Sequence, residues 1–261
     1  IILFIIMKFR SKKLLVTGGA GFIGSNFILY LLEKYDDLFI YNLDLLTYAG
    51  SLSNTNSFKS DSRYKFIHGN ICDDKLLDNI FKKYKIDGVV NFAAESHVDN
   101  SIENPEIFIR TNVIGVYKLL DACYKNWMNS NFKYKSTFQH SRFHQISTDE
   151  VYGSIINGSF KEDDICRPNS PYSATKASAD LIVRSYLKTY GLNVVISRCT
   201  NNFGPNQHKE KFIPMIIDSI QNNKPIKVYG KGDNIRDWIT VIDHCKAIDI
   251  VYNNGKNGSI Y

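Results

Sequence analysis

The chain has 261 residues, 44% hydrophobic and 22% charged, an ordinary globular balance with enough apolar side chain for a sizeable core. That composition excludes disordered, collagen-like and disulfide-scaffold classes, and the length suits one or two domains at about 150 residues each. Lys plus Arg number 32 against 26 Asp plus Glu, and the resulting net charge of +6 suits an anionic small ligand. The one basic cluster, Lys8, Arg10, Lys12 and Lys13, is too short for a nucleic-acid patch, so no nucleic-acid partner is expected.

The opening run Ile1 to Ile6 lacks a preceding basic region and a cleavage site, which makes it a poor signal peptide. Met7 stands just before the first organised segment, and the residues before it are expected to be an upstream extension. No apolar run approaches the ~20 residues that cross a bilayer, so no membrane partner is expected. Lys13 to Thr17 reads as a buried strand, followed by a glycine turn and an amphipathic helix from Phe22 to Tyr35. Leu38 to Leu43 and Tyr64 to His68 read as strands, Lys75 to Lys83 as a helix and Gly88 to Phe92 as a strand. A long helix is predicted from Pro105, a good first-turn residue, towards Trp127. Asn129 to Ser141 is polar and aperiodic and reads as a surface loop; Phe143 to Ser147 is a strand, Pro171 to Tyr190 a helix and Asn193 to Ser197 a strand.

Strands alternating with helices imply right-handed crossovers and an α/β, doubly wound parallel sheet, Rossmann-like, over residues 7–198. After Ser197 the texture changes. Asn201 to Asn206 is loop chemistry, Phe212 to Gln221 a helix, Pro225 to Tyr229 a short strand and Asp243 to Tyr252 a helix. Residues 199–261 are therefore expected to form part of a smaller substrate lobe, ending at Ile260 and Tyr261 in what reads as the start of another strand. The cysteines (Cys72, Cys123, Cys166, Cys199, Cys245) are widely spaced, without Cys-x-x-Cys or paired histidines; no metal site is expected, and reduced thiols in a cytoplasmic protein are.

Gly18-Gly19-Ala20-Gly21-Phe22-Ile23-Gly24 lies between a strand and a helix, where a phosphate-binding turn belongs. Gly18 permits the tight turn, Gly21 lets backbone approach a diphosphate, and Gly24 allows close helix–strand packing. Asp44 ends the second strand, where an acid pairs with a ribose hydroxyl; Leu45 and Leu46 follow with no Arg for a 2′-phosphate, so NAD is favoured over NADP. Asn70 and Ile71 after the third strand, and Phe92, Ala93, Ala94 and Ser96 after the fourth, would line the crevice at the strand ends. Tyr172 and Lys176 form Tyr-x-x-x-Lys on one helix face, which places a cation near a phenol whose ordinary pKa is about 10; the cation is expected to favour the ionised phenol and so supply a tyrosinate base. Thr148-Asp149-Glu150 puts two carboxyl groups and a hydroxyl at a strand end just before that helix, an acid/base pair in this context. Each motif alone has a plainer alternative: Asp44 as a turn residue, Tyr172 and Lys176 on an exposed helix face, the acids as a solvated turn.

At these residues the sequence resembles the extended short-chain dehydrogenase/reductases, and among them the nucleotide-sugar 4,6-dehydratases of the dTDP-glucose type. The matching stretches include Val16 to Ser25, Leu46 to Gly50, Ala93 to Asp99, Ser147 to Gly153, Ser170 to Ala177, Asn201 to Pro205 and Tyr229 to Trp238. The Thr-Asp-Glu triplet discriminates best, because related epimerases generally keep Tyr and Lys without the acidic pair. The resemblance implies dehydration of dTDP-glucose to dTDP-4-keto-6-deoxyglucose, a deoxysugar-forming lyase reaction. Tyr172 would take the 4-hydroxyl proton as C4 hydride passes to NAD, with Thr148 bonded at O4; Glu150 would remove the C5 proton while Asp149 protonates the leaving 6-hydroxyl. Hydride would then return to C6, and Lys176 would hold the nicotinamide ribose. It further implies cofactor contacts from Phe22, Ile23, Thr47, Thr111 and Asn202, and substrate contacts from Ser96, Thr148, Asn201, Lys211, Phe212, Lys227, Val228, Tyr229 and Arg236.

Asn70 stands where the family usually has an Asp at the adenine amino group. Family members continue well beyond residue 261, so the chain is expected to be truncated, and they commonly pair two long helices into a homodimer. The alternatives are a UDP-sugar 4,6-dehydratase, a nucleotide-sugar 4-epimerase, and an inactive truncated NAD-binding protein.

Overall fold

Alternate side chains of the first strand, β1 (Lys13–Thr17), serve two different cores: Leu14 and Val16 join one, Leu15 the other. A strand buried on both faces belongs inside a sheet covered by helices on each side. The computed structural model, which describes residues 9–226, 231–232 and 234–261, shows that arrangement. From β1 the chain runs through α1 (Phe22–Lys34), β2 (Phe39–Asp44), a 3₁₀ turn at Leu52–Thr55, β3 (Tyr64–His68), α2 (Asp74–Tyr84) and β4 (Gly88–Asn91). Next come α3 (Val98–Glu103), α4 (Pro105–Phe108), a π-helical stretch (Ile109–Gly115), α5 (Val116–Trp127) and a hairpin of β5 (Met128–Ser130) and β6 (Lys133–Tyr134). The remainder is β7 (Arg142–Thr148), a 3₁₀ turn (Asp149–Tyr152), α6 (Pro171–Tyr190), β8 (Val194–Cys199), β9 (Asn201–Phe203), α7 (Phe212–Gln221), β10 (Trp238–Thr240) and α8 (Val241–Asn254).

Six strands form one parallel sheet in the order β3-β2-β1-β4-β7-β8. This is the doubly wound α/β class expected. Leu77 and Phe81 of α2, Leu119 and Trp127 of α5 and Val183 of α6 fill one face. Phe27 and Leu31 of α1 and Ile248 and Tyr252 of α8 fill the other. The strand order reverses between β1 and β4, so connections leave this point in opposite directions and open a crevice at the carboxyl ends.

Several boundaries differ from the sequence reading, each for a physical reason. The helix predicted from Pro105 to Trp127 is continuous but widens into the π-helical stretch, which turns buried Asn112 towards Glu95 and Thr175. The polar segment after Trp127 contains the β5–β6 hairpin, whose Tyr134 hydroxyl accepts from the Asn193 N–H at 2.6 Å. Asn201–Phe203, read as loop, is a strand because it pairs in parallel with β10, a partner far along the chain. The strand expected at Pro225–Tyr229 falls largely on residues 227–230, outside the described residues; Pro225 and Ile226 have no regular structure. Ile260 pairs in parallel with Ile196, continuing the sheet beyond β8.

Helix α8 is bound to the sheet by polar anchors as well as by its apolar face. Buried Asp249 accepts from Lys34 Nζ at 2.6 Å and from the Tyr35 hydroxyl at 3.0 Å, which ties α8 to α1. Arg142 Nη1 donates to the Tyr252 carbonyl at 2.8 Å and so satisfies an open carbonyl of the last turn.

Candidate active site

Only glycine fits the first turn of the crevice. Gly18 has φ +69°, and a Cβ there would lie 2.7 Å from the Ala93 nitrogen. Its N–H donates to the Leu43 carbonyl at 2.9 Å, and the Gly21 N–H donates to the Gly18 carbonyl at 3.1 Å. Gly21 caps α1 without any side-chain acceptor, so the first-turn N–H groups remain available, and the helix end carries partial positive charge. A diphosphate fits such a cradle. Asp44 is buried beside it, its carboxylate accepting from the Ala20 N–H at 2.9 Å and the Leu46 N–H at 2.8 Å. Asn70 Oδ1 accepts from the Cys72 N–H at 2.8 Å, which fixes that amide at the end of β3.

The strand ends and the segments that follow them enclose one cleft of about 350 Å³. It brings together Gly18, Gly21, Phe22, Ile23, Gly24, Asp44, Leu45, Thr47, Asn70, Ile71, Phe92, Ala93, Ala94, Ser96 and Thr111 from the expected cofactor set. It also brings in Thr148, Asp149, Glu150, Tyr172, Lys176, Asn201, Asn202 and Lys211. Leu46 lies outside the lining and adopts φ +55°, which lets its N–H reach Asp44. Phe212 is exposed at the start of α7, and Arg236 is exposed with Nη1 bonded to the Ile235 carbonyl at 2.8 Å; neither lines the cleft. Lys227, Val228 and Tyr229 lie outside the described residues.

The candidate reacting side chains sit on a strand–turn–helix unit. Thr148 ends β7 with its Oγ1 donating to Asp149 Oδ1 at 3.2 Å and accepting from the Glu150 N–H at 3.2 Å. A Ser170/Ser173 capping box and Pro171 start α6, so Tyr172 and Lys176 enter the cleft from its first two turns. The Asn112 amide bonds both backbone groups of Glu95 and also Thr175 Oγ1, whose proton goes to the Tyr172 carbonyl at 2.7 Å. That chain of bonds locks the wall after β4 to the Tyr172 turn.

The comparisons agree with this geometry. Residues 15–261 match the family model described as GDP-mannose 4,6 dehydratase. The dTDP-glucose 4,6-dehydratase of Salmonella typhimurium is 44% identical over 259 residues, covering 95% of this chain and 71% of that protein. The low-salt glycan biosynthesis protein Agl12 of Haloferax volcanii is 49% identical over 247 residues, 95% of this chain and 75% of that one. DesIV of Streptomyces venezuelae, a dTDP-glucose 4,6-dehydratase solved with NAD and TYD bound, superposes with a TM-score of 0.87 at 44% identity, over 95% of this chain and 74% of that chain. The chain belongs to the dTDP-glucose 4,6-dehydratase family.

The electrostatics of this dehydratase-family cleft correct one expectation. Tyr172 was expected to be made acidic by Lys176. Instead burial, and then the Glu150 carboxylate, push its phenol well above the ordinary tyrosine value, while the Thr148 hydrogen bond opposes them. The Lys176 ammonium donates to the Ile146 carbonyl at 2.7 Å; burial pulls its pKa down, opposed first by Asp180 and then by Cys199. Burial raises the Asp149 carboxyl, opposed by hydrogen bonds from Thr148 and neighbouring groups. Glu150 is raised by burial and by Asp149, then drawn back towards its carboxylate by Arg236 and Lys211.

Sequence reading passed over Glu95, Cys199, Thr200, Gln207 and His208, which also line the cleft. Cys199 ends β8, Thr200 follows it and Glu95 lies just past β4, so the strand-end rule that singled out Ala93 applies equally to them. Gln207 and His208 carry no comparable signal.

The raised Glu150 pKa means that the folded chain binds this proton more tightly than the unfolded chain does. Its contribution to stability therefore falls as pH rises through and above the ordinary glutamate value of 4.5. Glu150→Gln is expected to melt above the wild type at pH 7, with the gap closing as the pH drops below that value. A lower melting temperature at pH 7 in a calorimetric pH series would contradict this.

Proposed function

We propose that this protein is an NAD-dependent dTDP-glucose 4,6-dehydratase, a lyase of deoxysugar biosynthesis that forms dTDP-4-keto-6-deoxyglucose. The observation that carries this reading is the junction of β7 and α6: two neighbouring carboxyl groups and a threonine face the same cleft as Tyr172 and Lys176. An epimerase needs the tyrosine and lysine but not the acidic pair. The relatives' names and the DesIV complex with NAD support both the substrate and the cofactor.

The Gly18–Gly24 turn and the α1 N-terminus hold the cofactor diphosphate, Asp44 the adenosine ribose, and Asn70 the adenine edge. When bound, NAD accepts the C4 hydride, returns it to C6, and adds one positive charge beside the phenol. Tyr172 accepts the 4-hydroxyl proton, and Thr148 bonds O4. The 4-ketone acidifies C5–H, whose proton passes to Glu150 as Asp149 delivers a proton to the departing 6-hydroxyl. The C6–O bond breaks with loss of one water, and a proton returns to C5 as hydride reaches C6. The elimination needs one carboxyl protonated and the other ionised; burial raises both here, and only Glu150 has cations, Arg236 and Lys211, drawing it back towards the carboxylate. Ser96, Asn201 and Lys211 line the same cleft, which supports reading them as sugar and nucleotide contacts. Lys227, Val228, Tyr229, Phe212 and Arg236 belong to the same substrate set by resemblance; of residues 199–261, expected as the substrate part, α8 and Ile260 pack on the main sheet, which leaves the stretch between β8 and α8 for the substrate.

Glu150→Gln is expected to permit the first oxidation and block C5 deprotonation, so bound NADH accumulates with little product. Tyr172→Phe is expected to yield no NADH. General acid–base groups contribute about 10²–10⁴-fold, which stopped-flow absorbance resolves easily. Normal turnover by Glu150→Gln, or undiminished NADH formation by Tyr172→Phe, would contradict the reading.

We further infer a cytoplasmic homodimer. Among the described residues no helix is long and apolar enough to cross a membrane. Ile107, Ile109, Ile114 and Tyr117 on the α4–α5 run and Leu181 on α6 are exposed, Leu181 at 63%. Two such helices from each of two chains would bury this surface as a four-helix interface. Sedimentation velocity is expected to show a dimer at micromolar concentration and a monomer for Leu181→Asp. A monomeric wild type would contradict the inference.

A further inference from the structure

Lys176 occupies an electrostatically awkward place. It is 4% exposed, and its ammonium makes one hydrogen bond among the described residues, to the neutral Ile146 carbonyl. Burial favours the uncharged amine, so a lysine in this position discharges unless an anion lies close by. One turn further along α6, on the same face, stands Asp180, 3% exposed. Its Oδ2 accepts from Ser147 Oγ of β7 at 3.0 Å and from Arg198 Nε of β8 at 3.0 Å. Its Oδ1 is buried without a hydrogen-bond partner among the described residues.

Asp180 pairs with Arg198 at 3.0 Å and stands one helical turn from Lys176 without an ion pair to it, and burial raises its own carboxyl while Arg198 and Lys176 draw it back towards the carboxylate. Arg198 has other supports: its guanidinium lies 4.6 Å from the Tyr152 ring centre and reaches the Glu162 carbonyl and Cys166 Sγ. For Lys176, Asp180 faces it from α6 itself, Cys199 from β8, and the Ile146 carbonyl from β7; Tyr172 stands one turn earlier on α6. Asp180 is the one carboxylate acting directly on Lys176 among the described residues.

We propose that Asp180 is a positioning residue that keeps Lys176 protonated and docked against the end of β7, at the floor of the cofactor cleft. This deepens the reading above and rests on Lys176 acting at the cofactor. A salt bridge with Arg198 alone would be a structural device; the coupling to Lys176 makes it a control on the charge the cofactor meets.

The test is the titration of Lys176, observed through ¹³Cε-labelled lysine in the full chain and assigned by its loss in Lys176→Arg. In Asp180→Asn the Lys176 midpoint is expected to move to lower pH. In Arg198→Met, which leaves the carboxylate and removes the competing cation, it is expected to move to higher pH. Simple loosening of the structure would relieve burial and raise the midpoint in both variants. An unchanged or higher midpoint in Asp180→Asn overturns the proposal; if that variant does not fold, an unchanged or lower midpoint in Arg198→Met does so. Calorimetric titration with NAD supplies the second readout: Asp180→Asn is expected to match wild type at low pH and to lose binding at a lower pH than wild type does. Absence of NAD binding by the wild type would count against the proposed function, while the lysine titration would still decide the coupling.

Discussion

All six strands of the main sheet run in one direction, and that single constraint places every group in the cleft. Parallel strands joined by helical crossovers deliver their carboxyl ends to one edge, and the reversal of order between β1 and β4 leaves a crevice there. Gly18, Asp44, Asn70, Ala93, Thr148 and Cys199 all sit at or just past a strand end, although they are scattered over most of the chain. The two apolar cores on either side of the sheet hold this edge in register.

Within that frame the cleft stabilises charge unevenly. A glycine turn and an uncapped helix end favour an anion on the β1 side. On the β7–β8 side, the side chains of Lys176, Asp180 and Arg198 are buried, and the carboxyl groups of Asp149 and Glu150 are shifted upward. Burying so many ionisable groups works against stability, and the positions of the partners determine which of them stays charged. The same low-dielectric floor that keeps Tyr172 protonated gives a nearby positive charge a large effect on it. In the proposed reaction this links the role of Tyr172 as base to the arrival of the cofactor.

Much of this was legible in the sequence because its signals are local. The six sheet strands, the glycine turn, and α6 with its Ser170 and Pro171 start are written in contiguous patterns of branched, small and capping residues. Features that depend on distant partners were not legible. Asn201–Phe203 is a strand only because Trp238–Thr240 lies beside it, and the widened helix around Asn112 answers to the backbone of Glu95. Spacing correctly put Tyr172 and Lys176 on one helix, but spacing cannot say where an ammonium points. Its acceptor, the Ile146 carbonyl of β7, determines that. Asp180 and Asn112 did leave a trace in the sequence, as polar residues on helix faces that otherwise pack inward.

The central claim is a redox-neutral dehydration in which one hydrogen moves from C4 to C6 of the same sugar. dTDP-glucose carrying deuterium at C4 tests it most directly, with the product read by mass spectrometry and NMR. The account predicts a 4-keto-6-deoxy sugar with the deuterium at C6. Recovery of the label at C4 of an epimerised sugar, or no product at all, would contradict it.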